Sequence, residues 1–276
     1  MSDAALPPLL SVAEFKTLPS DVVVIDASWS WDGTGPRTAH VEARIPGAIL
    51  FDHAAAKDPD SDLHETVPTA SHFSAHLSAL GIGNDDRIVL YSQGAFSGAA
   101  RAWYLLRLFG HRSVSVLDGG FDAYIASGLP IESGTASAVA PTQYTATFVS
   151  DLIVDIAGMR RALEDGVQTI DGRPGPVYEG AVDFFAEQGG PAAGQPGRIA
   201  DMPNIPTSEF VTDGKLKSAS VLRVLFEENG VDLTRPIVTS CSLGVGASGV
   251  AFALALAGAD KVAVFDGSYE AWVASA

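Results

Sequence analysis

The chain of 276 residues is about twice as long as a usual single domain, so its length favours two globular domains. Its 17 Lys and Arg against 33 Asp and Glu give a formal net charge of −16, which disfavours binding to nucleic acid or to anionic membranes. Residues 1–10 contain no Lys or Arg, and the longest apolar run, 249–259, is too short to cross a bilayer. We therefore expect a cytoplasmic protein without a secretory signal and without a nucleic-acid or membrane partner.

In the first half of the chain, short apolar strands alternate with segments of helical periodicity. This alternation predicts βα units on a mainly parallel sheet flanked by helices. The predicted strands are 22–26, which ends in Asp26, 88–91, which runs into Ser92 and a loop of small residues, and 114–117, which is followed by an Asp-Gly turn. A helix that carries aromatic residues is expected over 121–127.

The second half repeats this pattern. A β-branched run ends at Asp171, 145 residues after Asp26, and a strand runs into Cys241, 149 residues after Ser92. Such spacing indicates an internal duplication and not a short solenoid repeat. We predict two tandem α/β domains, with a non-catalytic domain over 1–135, a linker over 136–149 and a catalytic domain over 150–276.

Cys241 is the one cysteine of the chain, so it forms neither an internal disulfide nor a Cys-rich metal site. It stands at the carboxyl end of a predicted strand, where ligand sites of parallel sheets lie. The small residues that follow it allow backbone amides to converge on the sulfur, and a helix expected over 250–257 would add its positive end. These features favour a reactive thiolate over a buried structural cysteine.

Two rival uses of a cysteine conflict with the neighbouring residues. Cysteine-dependent phosphatases need an Arg six residues after the nucleophile, and that position is Ala247. Acyl transfer of the papain type needs a histidine base, and the second half contains no histidine. A histidine at the site would have to come from the first half.

Several short motifs together resemble the tandem rhodanese family of sulfurtransferases, and its mercaptopyruvate branch more than its thiosulfate branch. The motifs are Arg44-Ile-Pro-Gly-Ala, Leu80-Gly-Ile-Gly-Asn, Asp118-Gly-Gly-Phe, Asp171-Gly-Arg-Pro, Gly230-Val-Asp-Leu and Asp266-Gly-Ser-Tyr-Glu-Ala-Trp. The resemblance implies a first domain that lacks the catalytic cysteine and a second domain in which Cys241 carries sulfur as a persulfide.

The same resemblance assigns the donor site. Arg173 matches the arginine that binds the substrate carboxylate, with a structural ion pair as the alternative. Asp52 and His64 match an acidic and a histidine position of the mercaptopyruvate branch, with a solvated loop as the alternative for both. The remaining predicted substrate contacts are the residues after the cysteine, Ser242, Leu243, Gly244, Val245 and Gly246.

The loop after Cys241 departs from both branches of the family, because Ser242 and Leu243 stand where thiosulfate enzymes have Arg and Lys. We expect transfer of sulfur from 3-mercaptopyruvate, a small anionic donor, to a thiol or cyanide acceptor, with thioredoxin among the candidate acceptors. The alternatives are a thiosulfate sulfurtransferase and a non-catalytic persulfide carrier or redox sensor. The resemblance implies neither a metal nor an organic cofactor.

Overall fold

The computed structural model describes residues 6–31 and 33–276. Residues 1–5 lie outside the described residues, and they belong to the predicted first domain and to the segment in which we expect no secretory signal. The chain divides into two compact units. The first consists of Met1–Pro59, Pro68–Phe148 and Asp213–Leu216, and the second of Asp60–Val67, Val149–Thr212 and Lys217–Ala276. Each unit therefore includes a short segment from the opposite half of the sequence.

The first unit is a five-stranded parallel sheet with helices, in the order β1-β5-β4-β2-β3. Its helices and longer strands follow one another along the chain as the sequence predicts. Its elements are β1 (Leu9–Leu10), α1 (Val12–Phe15), β2 (Val23–Asp26), α2 (Thr34–Glu42), β3 (Ile49–Leu50), α3 (His53–Ala56), α4 (Ala70–Ala79), β4 (Ile88–Tyr91), α5 (Ser97–Leu108), β5 (Val114–Leu117) and α6 (Gly120–Ala126).

The second unit is a four-stranded parallel sheet in the order β6-β11-β10-β7. Two 3₁₀ helices, 150–152 and 207–210, accompany its α-helices. The elements after α6 are β6 (Ile153–Val154), α7 (Ile156–Glu164), β7 (Gln168–Asp171), α8 (Gly175–Tyr178), β8 (Val211–Thr212), β9 (Lys215–Leu216, in the first unit), α9 (Ala219–Glu228), β10 (Ile237–Ser240), α10 (Val245–Ala257), β11 (Val262–Phe265) and α11 (Ser268–Ala274). The predicted fold, two α/β domains with mainly parallel sheets, is confirmed.

Side-chain caps start many of the helices. In each case the oxygen of a Ser, Thr or Asp accepts a hydrogen bond from a backbone N–H of the first helical turn, which satisfies a donor that the helix leaves unpaired. The capping residues are Ser11, Asp52, Thr69, Asp155 and Ser218. The local sequence thus fixes where the helices begin between the strands.

Each unit has its own core of aromatic and aliphatic side chains. In the first unit, Phe73 stacks on Phe109 with 4.5 Å between ring centroids, and Tyr91 stacks on Phe121 at 5.7 Å. In the second, Phe210 and Phe226 are fully buried with their centroids 5.3 Å apart. Burial of an aromatic side chain contributes about 1.5–3 kcal/mol, so these contacts stabilise the sheets that hold the strand ends in place.

The predicted linker packs in part against the first unit. Tyr144 is buried, its N–H donates to Ser78 Oγ at 2.9 Å, and Thr147 N–H donates to the carbonyl of Phe109 at 3.0 Å. Val139 is exposed, as expected of a linker residue. The segment before residue 149 therefore follows the surface of the first unit instead of extending freely.

The most apolar helix is α10, and most of its residues are buried, among them Val250, Phe252 and Leu254. It has 13 residues, far fewer than a bilayer requires. Throughout 6–31 and 33–276, no helix is both long and apolar enough to cross a membrane.

A buried histidine in the first unit makes its stability depend on pH. His53 begins α3, and its Nε2 lies 3.1 Å from the carbonyl oxygen of Ala27. Burial, opposed by this hydrogen bond, lowers the pKa of His53 from 6.5 to about 4. In the unfolded chain His53 takes up a proton below pH 6.5, whereas in the folded unit it does so only near pH 4. The contribution of His53 to the free energy of unfolding is therefore fully present above pH 6.5 and is lost as the pH falls from 6.5 to about 4.

We expect the free energy of unfolding of the wild type to fall by about 2 kcal/mol more than that of His53→Gln between about pH 7 and pH 5. Glutamine does not titrate, so the variant removes the contribution of this ring alone. Urea unfolding of both proteins at the two pH values measures the difference. Parallel curves for the two proteins would show that His53 is not the residue that titrates.

Candidate active site

Cys241 follows the last residue of β10 and is buried, with 5% of its surface exposed. Its Sγ accepts hydrogen bonds from the backbone N–H of Gly244 at 3.0 Å and of Leu243 at 3.4 Å. Two backbone amides therefore donate to one sulfur. The predicted convergence of amides on the sulfur therefore forms from the residues that immediately follow the cysteine.

The helix after the cysteine begins earlier than the sequence suggests. We expected it at residue 250, but α10 begins at Val245, so that expectation is wrong. Gly244 adopts φ +100°, a left-handed conformation that glycine tolerates, and this residue ends the turn. The Ser248 hydroxyl donates to the Gly244 carbonyl at 2.8 Å, so small residues that look like a loop in the sequence form the first helical turn.

This early start places Val245 and Gly246 in the first turn of α10. The N–H groups there have no partner within the helix, and the macrodipole adds positive potential at the same end. A Cβ atom at Gly246 would lie 3.5 Å from Cys241 Sγ, so the glycine leaves room beside the sulfur. Of the predicted loop residues, Ser242 and Leu243 form the turn and are buried.

Three consecutive residues at the start of α11 bind the backbone of the cysteine turn. Ser268 Oγ accepts from Cys241 N–H at 3.1 Å, and the N–H of Tyr269 donates to the Cys241 carbonyl at 3.0 Å. The N–H of Glu270 donates to the Ser242 carbonyl at 3.1 Å. Sequence reasoning missed these contacts, although the Asp266-Gly-Ser-Tyr-Glu motif that contains them was noted.

Arg173 lies at the end of β7, beside the strand that leads to Cys241. Its Nε and Nη2 bind the carboxylate of Asp171 at 2.9 and 2.8 Å, and its Nη1 donates to the Gly197 carbonyl at 2.9 Å. Only 2% of its surface is exposed. The ion pair is therefore formed with a residue of its own strand end, and the predicted role in binding a carboxylate stays a prediction.

Arg173 and Arg198 lie against two tyrosine rings, and these four residues form what we call the cationic cluster. The Arg173 guanidinium lies 4.4 Å from the ring centroid of Tyr269 and 5.8 Å from that of Tyr178. Arg198 is exposed and lies 5.1 Å from the centroid of the same Tyr178 ring. The sequence analysis did not name Arg198 as a site residue, and only a contact across an intervening tyrosine shows its relation to Arg173.

His64 belongs to the second unit, although it comes from the first half of the sequence. Its Nδ1 lies 2.6 Å from Glu270 Oε1, and its N–H donates to Glu270 Oε2 at 2.9 Å. Three residues later, the N–H of Val67 donates to the carboxylate of Asp266 at 3.1 Å. The structure thus brings His64 to the helix that binds the cysteine turn, and the role of His64 at the donor site stays a prediction.

Asp52 lies in the first unit. Its carboxylate binds the Arg37 guanidinium at 2.9 Å through Nε and caps α3 by accepting from the N–H of Ala54 at 3.1 Å. Both contacts are local to that unit. The role of Asp52 at the donor site stays a prediction.

The first unit repeats the backbone of the cysteine turn without its chemistry. Ser92 stands at the cysteine position, its carbonyl accepts from the N–H of Phe121 at 3.0 Å, and its Oγ accepts from Ala99 N–H at 2.9 Å. Asp26 ends β2 as Asp171 ends β7, but its carboxylate binds the hydroxyl of Ser28 at 2.5 Å where the second unit has Arg173. A thiol and a guanidinium therefore occur at these positions in the second unit only.

The duplicated turns agree with a comparison of the chain with known protein families. The model of the rhodanese-like domain matches residues 11–127 and 157–275. The chain belongs to the tandem rhodanese-domain sulfurtransferases. The second domain of this sulfurtransferase carries Cys241 at the turn described above, and the first carries Ser92.

Individual relatives of this sulfurtransferase fall in two groups. It is 36% identical over 258 residues to the 3-mercaptopyruvate sulfurtransferase of Rattus norvegicus, covering 90% of this chain and 84% of the relative. It is also 36% identical over 256 residues to the thiosulfate sulfurtransferase of Cricetulus griseus, with the same coverage. Because the two are equally similar, the likeness does not distinguish their donors.

A solved structure shows the same architecture. The crystal structure of SseA from Escherichia coli, a 3-mercaptopyruvate sulfotransferase with the rhodanese fold, superposes with a TM-score of 0.82 at 28% identity. The match covers 96% of this chain and 99% of that chain. The tandem arrangement predicted from the repeated motifs is confirmed.

Ser268 provides a test of how the cysteine turn is held. It adopts φ +51°, a region that side chains with a Cβ rarely occupy, and the position is Gly120 in the first domain. Ser268→Ala removes the acceptor of the buried Cys241 N–H and keeps the backbone strain, so we expect a loss of about 1–3 kcal/mol in the free energy of unfolding. Ser268→Gly relieves the strain and should be about 1 kcal/mol more stable than Ser268→Ala.

Urea unfolding of both variants and the wild type measures this order. A Ser268→Ala variant as stable as the wild type would show that the hydroxyl does not hold the turn. A Ser268→Gly variant less stable than Ser268→Ala would show that the positive φ carries no cost.

Proposed function

We propose that this sulfurtransferase moves one sulfur atom from 3-mercaptopyruvate to a thiol through a persulfide on Cys241. The observation that carries the proposal is the position of Cys241 Sγ, which accepts from two backbone amides beside the first turn of α10. These donors stabilise the thiolate that attacks the donor in the first step and the thiolate that the acceptor releases in the second. The site therefore supports an anionic sulfur in both steps of a two-step cycle.

In the first step, the Cys241 thiolate attacks the sulfur of the donor. An S–S bond forms and the C–S bond of 3-mercaptopyruvate breaks, with its electron pair passing to the carbon as the enolate of pyruvate. The enolate takes up one proton and leaves as pyruvate. Cys241 is left as the persulfide, with the sulfhydryl proton of the donor on its outer sulfur.

In the second step, an acceptor thiol loses its proton to a base, and its sulfur attacks the outer sulfur of the persulfide. A new S–S bond forms, the bond to Cys241 breaks, and its electron pair returns to Cys241 as thiolate, which closes the cycle. Cyanide can take the same sulfur as thiocyanate. The reducing cytoplasm supplies thiols and dithiol proteins such as thioredoxin, and we place the reaction there.

The charges at the cysteine turn favour a monoanionic donor over a dianion. Ser242 and Leu243 are uncharged and buried, and the Arg173 charge is offset by Asp171. Thiosulfate loses more hydration on entering such a site than a singly charged carboxylate does, and the two residues after the cysteine supply no cation to compensate that loss. The net charge of −16 adds a weak repulsion that also grows with donor charge.

The cationic cluster supports recognition of a carboxylate. Tyr269 binds the Cys241 carbonyl through its N–H, and its ring lies against Arg173, which contacts the Tyr178 ring together with Arg198. The Arg173 contacts use one N–H of Nη1 and one of Nη2, and each nitrogen carries a second N–H. Arg198 adds an exposed guanidinium that Asp171 does not neutralise.

Cys241→Ser tests the persulfide. The hydroxyl fills the same space but forms no stable anion at neutral pH, so we expect the variant to stay folded and to take up no sulfur. Intact mass spectrometry after incubation with 3-mercaptopyruvate should show one added sulfur atom on the wild type and none on the variant. Sulfur on the variant would contradict the proposal. Repeated turnover by the wild type distinguishes an enzyme from a carrier, which would load once and stop.

Steady-state kinetics at fixed ionic strength test the donor. We expect a higher kcat/KM for 3-mercaptopyruvate than for thiosulfate because the turn carries no cation. Arg198→Gln should lower kcat/KM for 3-mercaptopyruvate by about 10-fold, mainly through KM, if this guanidinium binds the carboxylate.

Arg161→Gln is the matched control, since it removes the same charge from α7 in the same unit. It should leave kcat/KM within about 2-fold, as expected for an exposed surface charge. Faster turnover of thiosulfate by the wild type would contradict the charge argument. An equal effect of the two arginine variants would assign Arg198 to general attraction and not to donor binding.

A further inference from the structure

Glu270 is a fully buried carboxylate that the persulfide chemistry does not explain. None of its surface is exposed, whereas 26% of the His64 side chain is. Both of its oxygens bind His64, Oε2 through the backbone N–H at 2.9 Å and Oε1 through Nδ1 at 2.6 Å. Because a buried carboxylate is costly unless it accepts good hydrogen bonds, this pairing is what keeps Glu270 in the interior.

The pairing determines which ring nitrogen of His64 carries the proton. A carboxylate only accepts hydrogen bonds, so the Nδ1 that lies 2.6 Å from it carries a proton, and the neutral tautomer that fits this pairing is the one protonated on Nδ1. The lone pair of the ring is then on Nε2. Glu270 therefore selects a tautomer in which Nε2 takes up protons.

The Glu270–His64 pair adjoins the cysteine turn. The N–H of Glu270 donates to the Ser242 carbonyl. The two residues before Glu270 bind the backbone N–H and the carbonyl of Cys241. On its other side the pair is covered closely by Gly190, where a Cβ atom would lie 2.6 Å from His64 Cε1 and 2.7 Å from Glu270 Oε1. The carboxylate is thus inside, and the imidazole is the member that reaches solvent.

We propose that Glu270 is a positioning residue that holds His64 with its proton on Nδ1, so that Nε2 acts as the general base for the acceptor thiol. The proposal rests on the proposed persulfide cycle and concerns its second step. There, an acceptor R–SH must lose a proton as its sulfur becomes a nucleophile. A base beside the cysteine turn removes the need for a free thiolate in solution.

The step is balanced as follows. The sulfur of R–SH bonds to the outer sulfur of the Cys241 persulfide while its proton passes to His64 Nε2. The bond between that outer sulfur and Cys241 Sγ breaks, and its electron pair stays on Sγ as thiolate. The products are R–S–SH, the Cys241 thiolate and a His64 imidazolium, which the Glu270 carboxylate stabilises until the proton leaves to water.

Glu270→Gln tests the tautomer with little change in shape. The amide oxygen of glutamine must face the backbone N–H of His64, which is always a donor, so its NH₂ group faces Nδ1. Nδ1 then has to accept, and the ring proton moves to Nε2. We expect ¹⁵N NMR of the neutral ring to show the proton on Nδ1 in the wild type and on Nε2 in Glu270→Gln.

Single-turnover transfer from preloaded enzyme tests the chemistry. Persulfide-loaded protein, verified by intact mass, is mixed with 2-mercaptoethanol or with sulfite. Glu270→Gln should slow transfer to the thiol by about 100-fold, because Nε2 no longer accepts a proton. Transfer to the sulfite dianion should change by less than about 3-fold, because that nucleophile attacks without losing a proton.

Two further variants serve as controls. Asp266→Asn removes a carboxylate that binds the same segment through Val67 N–H, and it should leave the rate of thiol transfer within about 3-fold. In a His64→Ala background, Glu270→Gln should cause no additional slowing, because Glu270 acts through the ring. Urea unfolding verifies that each variant is folded under the assay conditions.

The outcomes separate this proposal from the proposed function. Absence of sulfur on wild-type Cys241 would overturn the persulfide cycle itself. Normal loading with equal slowing toward thiol and sulfite, or with no slowing toward either, would overturn the role of Glu270 alone. An unchanged tautomer in folded Glu270→Gln, or additive effects of the His64 and Glu270 variants, would overturn it as well.

Discussion

The turn that carries Cys241 depends on its hydrogen bonds with the start of α11. Ser268, Tyr269 and Glu270 bind the N–H and carbonyl groups of that turn, so its conformation is fixed from outside. In this conformation the N–H groups of Leu243 and Gly244 donate to Cys241 Sγ. The two donors at Sγ are thus a consequence of how the neighbouring peptide groups are satisfied.

Repeated motifs and strand periodicity were sufficient to predict two parallel α/β domains and the position of Cys241 at a strand end. The start of α10 was not predictable, because the run from Gly244 to Gly249 reads equally well as a loop, and only buried packing makes it helical. The pairing of His64 with Glu270 joins residues 206 apart in sequence. Periodicity describes neighbours along one element and carries no information about such a contact.

The two domains show how a duplicated fold can keep its structure while the side chains at matching positions change. In both domains an Asp ends one strand, and an Asp-Gly turn leads into a helix. A backbone N–H at the start of that helix donates to a carbonyl at the end of the neighbouring strand. The side chains at two matching positions differ, with Ser28 and Ser92 in the first domain and Arg173 and Cys241 in the second. Backbone hydrogen bonds are independent of these side chains, which explains why the scaffold survives the exchange.

Each compact unit includes a short segment from the opposite half of the chain, and this constrains how the protein is made. The first unit includes residues 213–216, where the N–H of Leu216 donates to Asp118 at 2.9 Å, and the second includes Asp60–Val67. During synthesis, the amino-terminal unit therefore stays incomplete until most of the polypeptide has left the ribosome. Such contacts raise contact order and slow folding, so the segment that contains His64 also makes folding of the second unit depend on a region translated long before it.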